Sequence, residues 1–354
     1  MPIDTDLAGA VDDVLTRAAA EDHFSGVLRL VRGDELVHEG AYGVASRRWA
    51  VPVHVGMRFD IASVTKLFTS VAVLQQVDAG TLDLDASIAE WVDLAGTGIS
   101  TEITLRHLLT HTSGIADDAD EEAGESYEAL FVDRPNYAVT RTEDFLPQCT
   151  AKPALFAPGT GCRYNNCGYV LAGLVLEKAT GTSYRDYVRS EVLARAGMTT
   201  SGFFDMRHPV PDVAEGWEPV RADEQVVGWR QNIYSYPPIG SPDGGAHATA
   251  ADLVRFLDAV RGGELLSAER TELFLTPQVV RNEEDGYTVT YGFGLVFEVF
   301  PDRRLRDLYK EGINIGASAI VEHYPTQDVT LALVANSENG IWGPLKQIDK
   351  LVYG

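Results

Sequence analysis

Residues 59–77 read Phe59-Asp60-Ile61-Ala62-Ser63-Val64-Thr65-Lys66-Leu67-Phe68-Thr69-Ser70-Val71-Ala72-Val73-Leu74-Gln75-Gln76-Val77. Val64, Leu67, Phe68, Val71 and Leu74 recur at three- and four-residue steps, which predicts a helix from Ser63 to Val77, stopped by Gly80. Residues three apart share a helical face, so the Lys66 amine lies within reach of the Ser63 hydroxyl. A serine hydroxyl is a poor nucleophile until a base takes its proton. A helix N-terminus adds exposed N–H groups suited to a developing oxyanion. Ser63 and Lys66 are therefore candidates for nucleophile and activating base. On its own the pair reads equally well as a helix-capping serine followed by a surface lysine. No Gly-x-Ser-x-Gly offers a competing nucleophile turn.

Working outward, residues 5–21 have amphipathic helical spacing. The Val- and Leu-rich runs 25–31 and 35–41, parted by Arg32-Gly33-Asp34, read as a hairpin. Helices are expected at 103–111, 167–179, 183–195 and 249–261, the last with Thr249 as N-cap. The C-terminal part changes character: strands are expected at 291–300, 304–309, 316–324 and 328–336, then a helix over 341–352. Strands at both ends with helices between predict an α/β fold. Its antiparallel sheet is built from N- and C-terminal strands flanked by helices, with an inserted, mainly helical domain. The division expected is residues 1–60 plus 245–354 for the sheet domain and 61–244 for the helical one.

Lys and Arg number 29 against 52 Asp and Glu, a net charge of −23 over 354 residues. Such a surface repels nucleic acid and anionic membrane, and neither is expected as a partner. No run of about 18 apolar residues is present. The start Met1-Pro2-Ile3-Asp4 lacks a basic segment followed by an apolar one, so a cytoplasmic location is the default. Cys149, Cys162 and Cys167 are too few for a disulfide scaffold and read as ordinary free thiols, a redox or metal pair of Cys162 and Cys167 being the alternative. From Asp117 to Glu128 there are seven acids and no base; a solvated loop is the plainer reading and a mobile flap the alternative.

Two further clusters follow. Tyr164-Asn165-Asn166 precedes a helix; a tyrosine beside lysines can shuttle a proton, and an asparagine can orient a lysine or a substrate amide. Lys310-Glu311-Gly312 follows the 304–309 strand; there a lysine on an edge strand would hold positive charge near the nucleophile, and glycine would let substrate approach the backbone. Taken singly, each also reads as an ordinary turn.

In the order Ser-x-x-Lys, Tyr-x-Asn, Lys-x-Gly, these elements resemble the serine β-lactamase-like and penicillin-binding-protein superfamily. Within it they are nearest the branch of class C β-lactamases, D-alanyl-D-alanine carboxypeptidases and esterases. Ile103 to Gly114, Pro158-Gly159, Gly244-Gly245 and Tyr291 to Gly294 match further landmarks in the same order. The resemblance implies acyl transfer through a covalent acyl-enzyme, without cofactor or metal. Ser63 attacks, and Lys66 or Tyr164 takes the proton. Asn166 and Lys310 hold substrate, Gly312 permits its approach, and the backbone N–H groups of Ser63 and Ile313 form the oxyanion hole. A lysine base must be neutral, which burial and the neighbouring Lys310 would favour. Glu311 departs from the small hydroxyl residue usual in true β-lactamases and is unfriendly to a substrate carboxylate. The substrate expected is a small-molecule ester, amide or lactam, with a carboxylesterase on small esters first. A β-lactamase, a D-amino-acid peptidase or amidase, an acyltransferase and a non-turnover acyl-binding sensor are the alternatives. His107 and His111 lack the Glu of a zinc-peptidase pair and are assigned structural roles. Trp229, Tyr234 and Tyr236 are candidates to line an acyl pocket. The sequence sets no oligomeric state.

Overall fold

The computed structural model describes residues 5–120, 123–150, 152–223 and 225–354. Helix α1 (Thr5–Ala20) is followed by the hairpin β1 (Gly26–Arg32) and β2 (Glu35–Tyr42). Short strands β3 (Val44–Ser46), β4 (Val51–Pro52) and β5 (Phe59–Asp60) lead to a 3₁₀ turn at Ala62–Val64 and helix α2 (Thr65–Asp78). Helices α3 (Leu105–Leu109), α4 (Leu146–Cys149), α5 (Asn166–Thr180) and α6 (Tyr184–Tyr187) come next. Strands β6 (Trp217–Ala222), β7 (Gln225–Gln231) and β8 (His247–Ala248) precede helices α7 (Ala250–Arg261) and α8 (Ala268–Phe274). The chain ends with β9 (Val279–Glu284), β10 (Tyr287–Tyr291), β11 (Val296–Val299), β12 (Leu305–Asn314), β13 (Ala317–Tyr324), β14 (Val329–Ala335) and helix α9 (Trp342–Tyr353).

Eight strands form one sheet in the order β2-β1-β14-β13-β12-β11-β10-β9, antiparallel throughout. Both termini thus supply one sheet, as expected. The period-2 alternation of β14 shows why it is central. Leu331 and Leu333 pack with Leu7, Val11, Leu15, Leu345 and Ile348 of α1 and α9 on one face. Ala332 and Val334 join the larger core with Phe256 of α7 and Phe68 of α2 on the other. Helix α2 is buried on every side from Thr65 to Gln75, as a helix surrounded by other elements must be.

Three expectations change. The strand expected at 291–300 is two strands, because Gly292 N–H donates to Leu295 O at 2.8 Å and turns the chain. Gly294 in that turn has φ +91°, and a Cβ there would lie 3.1 Å from Ser70 Oγ of α2. The 304–309 strand runs on to Asn314 inside the sheet, so Lys310 lies within β12 and not after an edge strand. Pairing with β11 nevertheless stops at Tyr309, which leaves that side of residues 310–314 open. The helix expected at 183–195 is one α-turn, α6, continued by a π-helical stretch over Val188–Leu193. Among the described residues no helix is long and apolar enough to cross a membrane.

Candidate active site

The nucleophile turn is built by local chemistry. Asp60 Oδ1 accepts the Ala62 N–H at 2.7 Å, which reverses the chain before the helix. Ala62 takes φ +43°, a conformation costly for a residue with a Cβ. Thr65 holds it there: its hydroxyl donates to Ala62 O at 2.7 Å and accepts the Ala246 N–H at 3.0 Å. Ser63 therefore sits in a tight 3₁₀ turn at the mouth of α2, not inside the regular helix. Gly312 of β12 presses on this turn; a Cβ there would lie 2.8 Å from Ser63 N and 3.0 Å from Val64 N.

Lys66 is fully buried. Its Nζ lies 3.0 Å from Ser63 Oγ, 2.7 Å from Asn166 Oδ1 and 2.6 Å from the backbone oxygen of Asp243. Two of these neighbours can only accept hydrogen bonds, whereas the serine hydroxyl can also donate. A neutral lysine has two N–H bonds and one lone pair. Placing the N–H bonds on the two acceptors turns the lone pair toward Ser63 O–H. The arrangement therefore suits proton abstraction from Ser63.

The Tyr164 ring lies between the lysines, 5.0 Å from Lys66 Nζ and 5.1 Å from Lys310 Nζ, ring centroid to nitrogen. Lys310 is almost wholly buried, with Glu311 Oε1 at 3.7 Å. Behind Tyr164 stands His111, its ring 4.6 Å away, backed by Tyr169 and Tyr291. His111 Nδ1 accepts the Asn165 N–H at 3.1 Å. Burial, with Lys66, Lys310 and Arg281 nearby, holds the His111 imidazole well below the usual histidine range and hence neutral. Its place is structural, as is that of His107, which completes the cap of α3.

Two chambers are bordered by Ser63. The larger, about 420 Å³, is lined by Asn166, Tyr236, Gly244, Ile313 and the acidic residues Glu125, Asp243 and Glu338; among the described residues no Lys or Arg lines it. The smaller, about 200 Å³, contains Tyr164, Lys310, Glu311, Arg281 and Asp117. Ser63 and Ile313 border both. The structure thus brings Ser63, Lys66, Tyr164, Asn166, Lys310, Gly312 and Ile313 to one place. Of the three candidate pocket aromatics, Tyr236 lines the larger chamber, Tyr234 is exposed, and Trp229 lies under the Arg47 guanidinium at 3.5 Å.

A model of the family described as Beta-lactamase matches residues 11–349. The chain belongs to the beta-lactamase family. A solved penicillin-binding protein from Bacillus halodurans superposes with a TM-score of 0.87 at 34% identity, covering 95% of this chain and 99% of that one. Esterase EstB of Burkholderia gladioli is 32% identical over 72% of this chain and 70% of its own length. A D-aminopeptidase of Cereibacter sphaeroides is 31% identical over 77% of this chain, which spans about half of that relative (49%). This beta-lactamase-family chain is accordingly a serine hydrolase with an α/β, β-lactamase-type fold.

The acidic segment of this family member is where the sequence reading falls short. Asp117 and Asp118 are buried, not solvated; Glu121 and Glu122 lie outside the described residues. Asp117 Oδ1 accepts the N–H groups of Asn166 at 2.8 Å and Cys167 at 3.0 Å, and Oδ2 accepts from Asn166 Nδ2 at 3.1 Å. Burial and Asp118 push the Asp117 carboxyl well up; those amides and Lys66 pull against the shift. Burial and Asp243 push Asp118 up to about 6. The segment is further fastened by Arg163 to Asp120 at 2.6 Å and by Lys152 to Glu125. The free-thiol expectation is also corrected: Cys149 and Cys167 are disulfide-bonded, with Cα atoms 5.2 Å apart, and Cys162 is free. The end of α4 packs on the first turn of α5, a proximity that spacing along the chain does not show. Asp117, Asp118 and Cys167 approach within 4.8 Å, but the sulfur is taken by the disulfide and Asp117 by amides.

Proposed function

We propose that the chain is a carboxylesterase acting on small esters through an acyl-enzyme on Ser63. The observation that carries this reading is the Lys66 amine, 3.0 Å from Ser63 Oγ and also within hydrogen-bond reach of two obligate acceptors, Asn166 Oδ1 and Asp243 O. Ser63 Oγ bonds to the ester carbonyl carbon as its proton passes to Lys66 or to Tyr164. The carbonyl oxygen takes the negative charge and faces the backbone N–H groups of Ser63 and Ile313, each such donor being worth about 3 kcal/mol of barrier. Collapse breaks the bond to the alcohol oxygen, which receives the proton. Water then adds to the acyl carbon, gives a proton to the same group, and Ser63 Oγ leaves with it. Tyr164 and Lys310 flank the smaller chamber, so the alcohol departs on that side and the acyl group occupies the larger one.

One observation favours a second reading. Among the described residues, the only ionisable acids or bases lining the larger chamber, tyrosines aside, are acidic, and though Glu125 is paired with Lys152, burial with Glu218 and Glu128 nearby pushes Glu338 up. An acyl group bearing an ammonium would relieve that repulsion, which suits aminoacyl amides or esters. Turnover of p-nitrophenyl acetate and of D-phenylalanine p-nitroanilide, by wild type and by Ser63→Ala, tests both. The variant is expected to lose both activities, and intact-mass labelling by a fluorophosphonate to fall on Ser63. A variant as active as wild type, or an adduct elsewhere, refutes the nucleophile assignment.

A further inference from the structure

Asn166 can serve Lys66 only if its amide is turned one way, and nothing in Asn166 itself fixes that choice. Its side chain has an oxygen on one edge and an NH₂ on the other, of nearly equal shape. The oxygen edge faces Lys66 Nζ at 2.7 Å. The NH₂ edge faces Asp117 Oδ2 at 3.1 Å. Turned over, the amide would set an N–H against the lysine, which would then have one obligate acceptor fewer and no reason to aim its lone pair at Ser63.

We infer that Asp117 is a positioning residue of the hydrolase site: it sets the polarity of a four-membered chain, Asp117–Asn166–Lys66–Ser63. The proposal rests on the Ser63–Lys66 reading and extends it by one residue. Its logic is the matching of donors to acceptors. Asp117 Oδ1 is held by two backbone N–H groups, those of Asn166 and Cys167, at the start of α5. That fixes which carboxylate oxygen remains for the side chain of Asn166. In the ionised state, which the two amides and Lys66 favour against the upward push of burial and Asp118, this oxygen only accepts, so the NH₂ of Asn166 faces it. The Asn166 oxygen must then face Lys66, and Lys66 must direct an N–H to it. With a second N–H directed to Asp243 O at 2.6 Å, the lone pair is left to face Ser63 Oγ at 3.0 Å. Asn166, Lys66 and Asp117 are each buried, which strengthens the hydrogen bonds among them.

The same carboxylate also caps α5, and a purely structural cap is the rival explanation. Asp117→Asn separates the two. The introduced amide retains an oxygen for the two backbone N–H groups, so the cap survives. Its NH₂ then opposes the NH₂ of Asn166, and the Asn166 amide must turn over. The expected result is a melting temperature close to wild type with a fluorophosphonate labelling rate and kcat for p-nitrophenyl acetate lowered about 10- to 100-fold, KM staying within twofold. General-base assistance is worth about 10²–10⁴, and a misdirected base loses part of it. Asp117→Ala, which removes the cap as well, is expected to lose stability in addition. If Asp117→Asn labels and turns over at the wild-type rate, the polarity argument is overturned. If Asp117→Asn does not fold, Asp117→Glu and Asp117→Gln carry the same comparison, and an amide as fast as its acid overturns the proposal. Loss of labelling in Ser63→Ala, measured beside these, is required by the underlying reading alone. If Ser63→Ala labels normally, that reading fails before Asp117 is judged.

Discussion

Gly312→Ala tests the site by its closest backbone contact. The new methyl would stand 2.8 Å from Ser63 N and 3.0 Å from Val64 N, and nearer still to Ile61 O. Unstrained carbon contacts begin at about 3.5 Å, so β12 and the nucleophile turn must part by about 0.7 Å or more. The colliding atoms are all backbone, and no side chain can swing away to absorb the change. β12 is held by β13 along Leu308–Asn314, and the turn is held by Asp60 and Thr65. The displacement therefore falls on the gap between Ser63 and Ile313, where the two oxyanion donors are proposed to converge. A misplacement near 1 Å costs about 10²-fold, and a lost donor alone costs about 10²–10³. kcat/KM for p-nitrophenyl acetate should fall at least about 100-fold, with overpacking lowering stability by about 1–3 kcal/mol. Steady-state kinetics beside thermal melting measures both. A folded Gly312→Ala enzyme within threefold of wild type would show that the donors are not set by this contact.

Two other expectations concern stability. On the outer face, Glu298 is pushed up to about 7 and Asp307 to about 6, each chiefly by burial, while Glu322 and Asp349 are also raised. Acids raised by folding bind more protons folded than unfolded between the ordinary carboxylate range and about 7, so their contribution to stability falls as pH rises through that window. Glu322→Gln should therefore be more stable than wild type in denaturant melts at pH 8, by a margin that shrinks toward pH 5; a margin that grows toward pH 5 contradicts the sign. The Cys149–Cys167 bond closes a separation of 18 residues, a loop for which cross-linking is worth about 3 kcal/mol. Cys149→Ser should lose about that much, and thiol titration of the unreduced, denatured chain should find one of the three cysteines; finding three would exclude the bond.

What can be read from the sequence is local or collinear. The α2 period, the hairpin β1–β2 and the Thr249 cap of α7 depend on neighbours a few residues apart, and each stands where its pattern puts it. Ser63, Lys66, Tyr164, Asn166 and Lys310 are visible because their order along the chain matches a known constellation. Asp117 is hidden in a run of acids whose average property is solvation, and only the arrival of α5, some 49 residues later, gives it partners. Asp243 contributes a backbone oxygen from 177 residues away, which no residue type can announce. The β6–β7 hairpin escapes the sequence reading because Val220, Val226 and Val227 face outward and blur the alternation.

Glu311 shows how the two kinds of information combine. Its identity alone sets it against a substrate carboxylate; the structure adds its surroundings. Lys310 has its nitrogen 3.7 Å from Glu311 Oε1, and Oε2 is buried with no hydrogen-bond partner among the described residues. The positive charge of Lys310 is therefore already opposed inside the smaller chamber. An incoming carboxylate would meet Glu311 and Asp120 as well as Lys310 and Arg281, and like charges at contact in a poorly solvated space are strongly unfavourable. A neutral alcohol leaving group meets no such opposition and can take its proton beside Tyr164. A preference for uncharged leaving groups is therefore the outcome expected from the pairing of Lys310 with its own neighbour, whatever acyl group Ser63 carries.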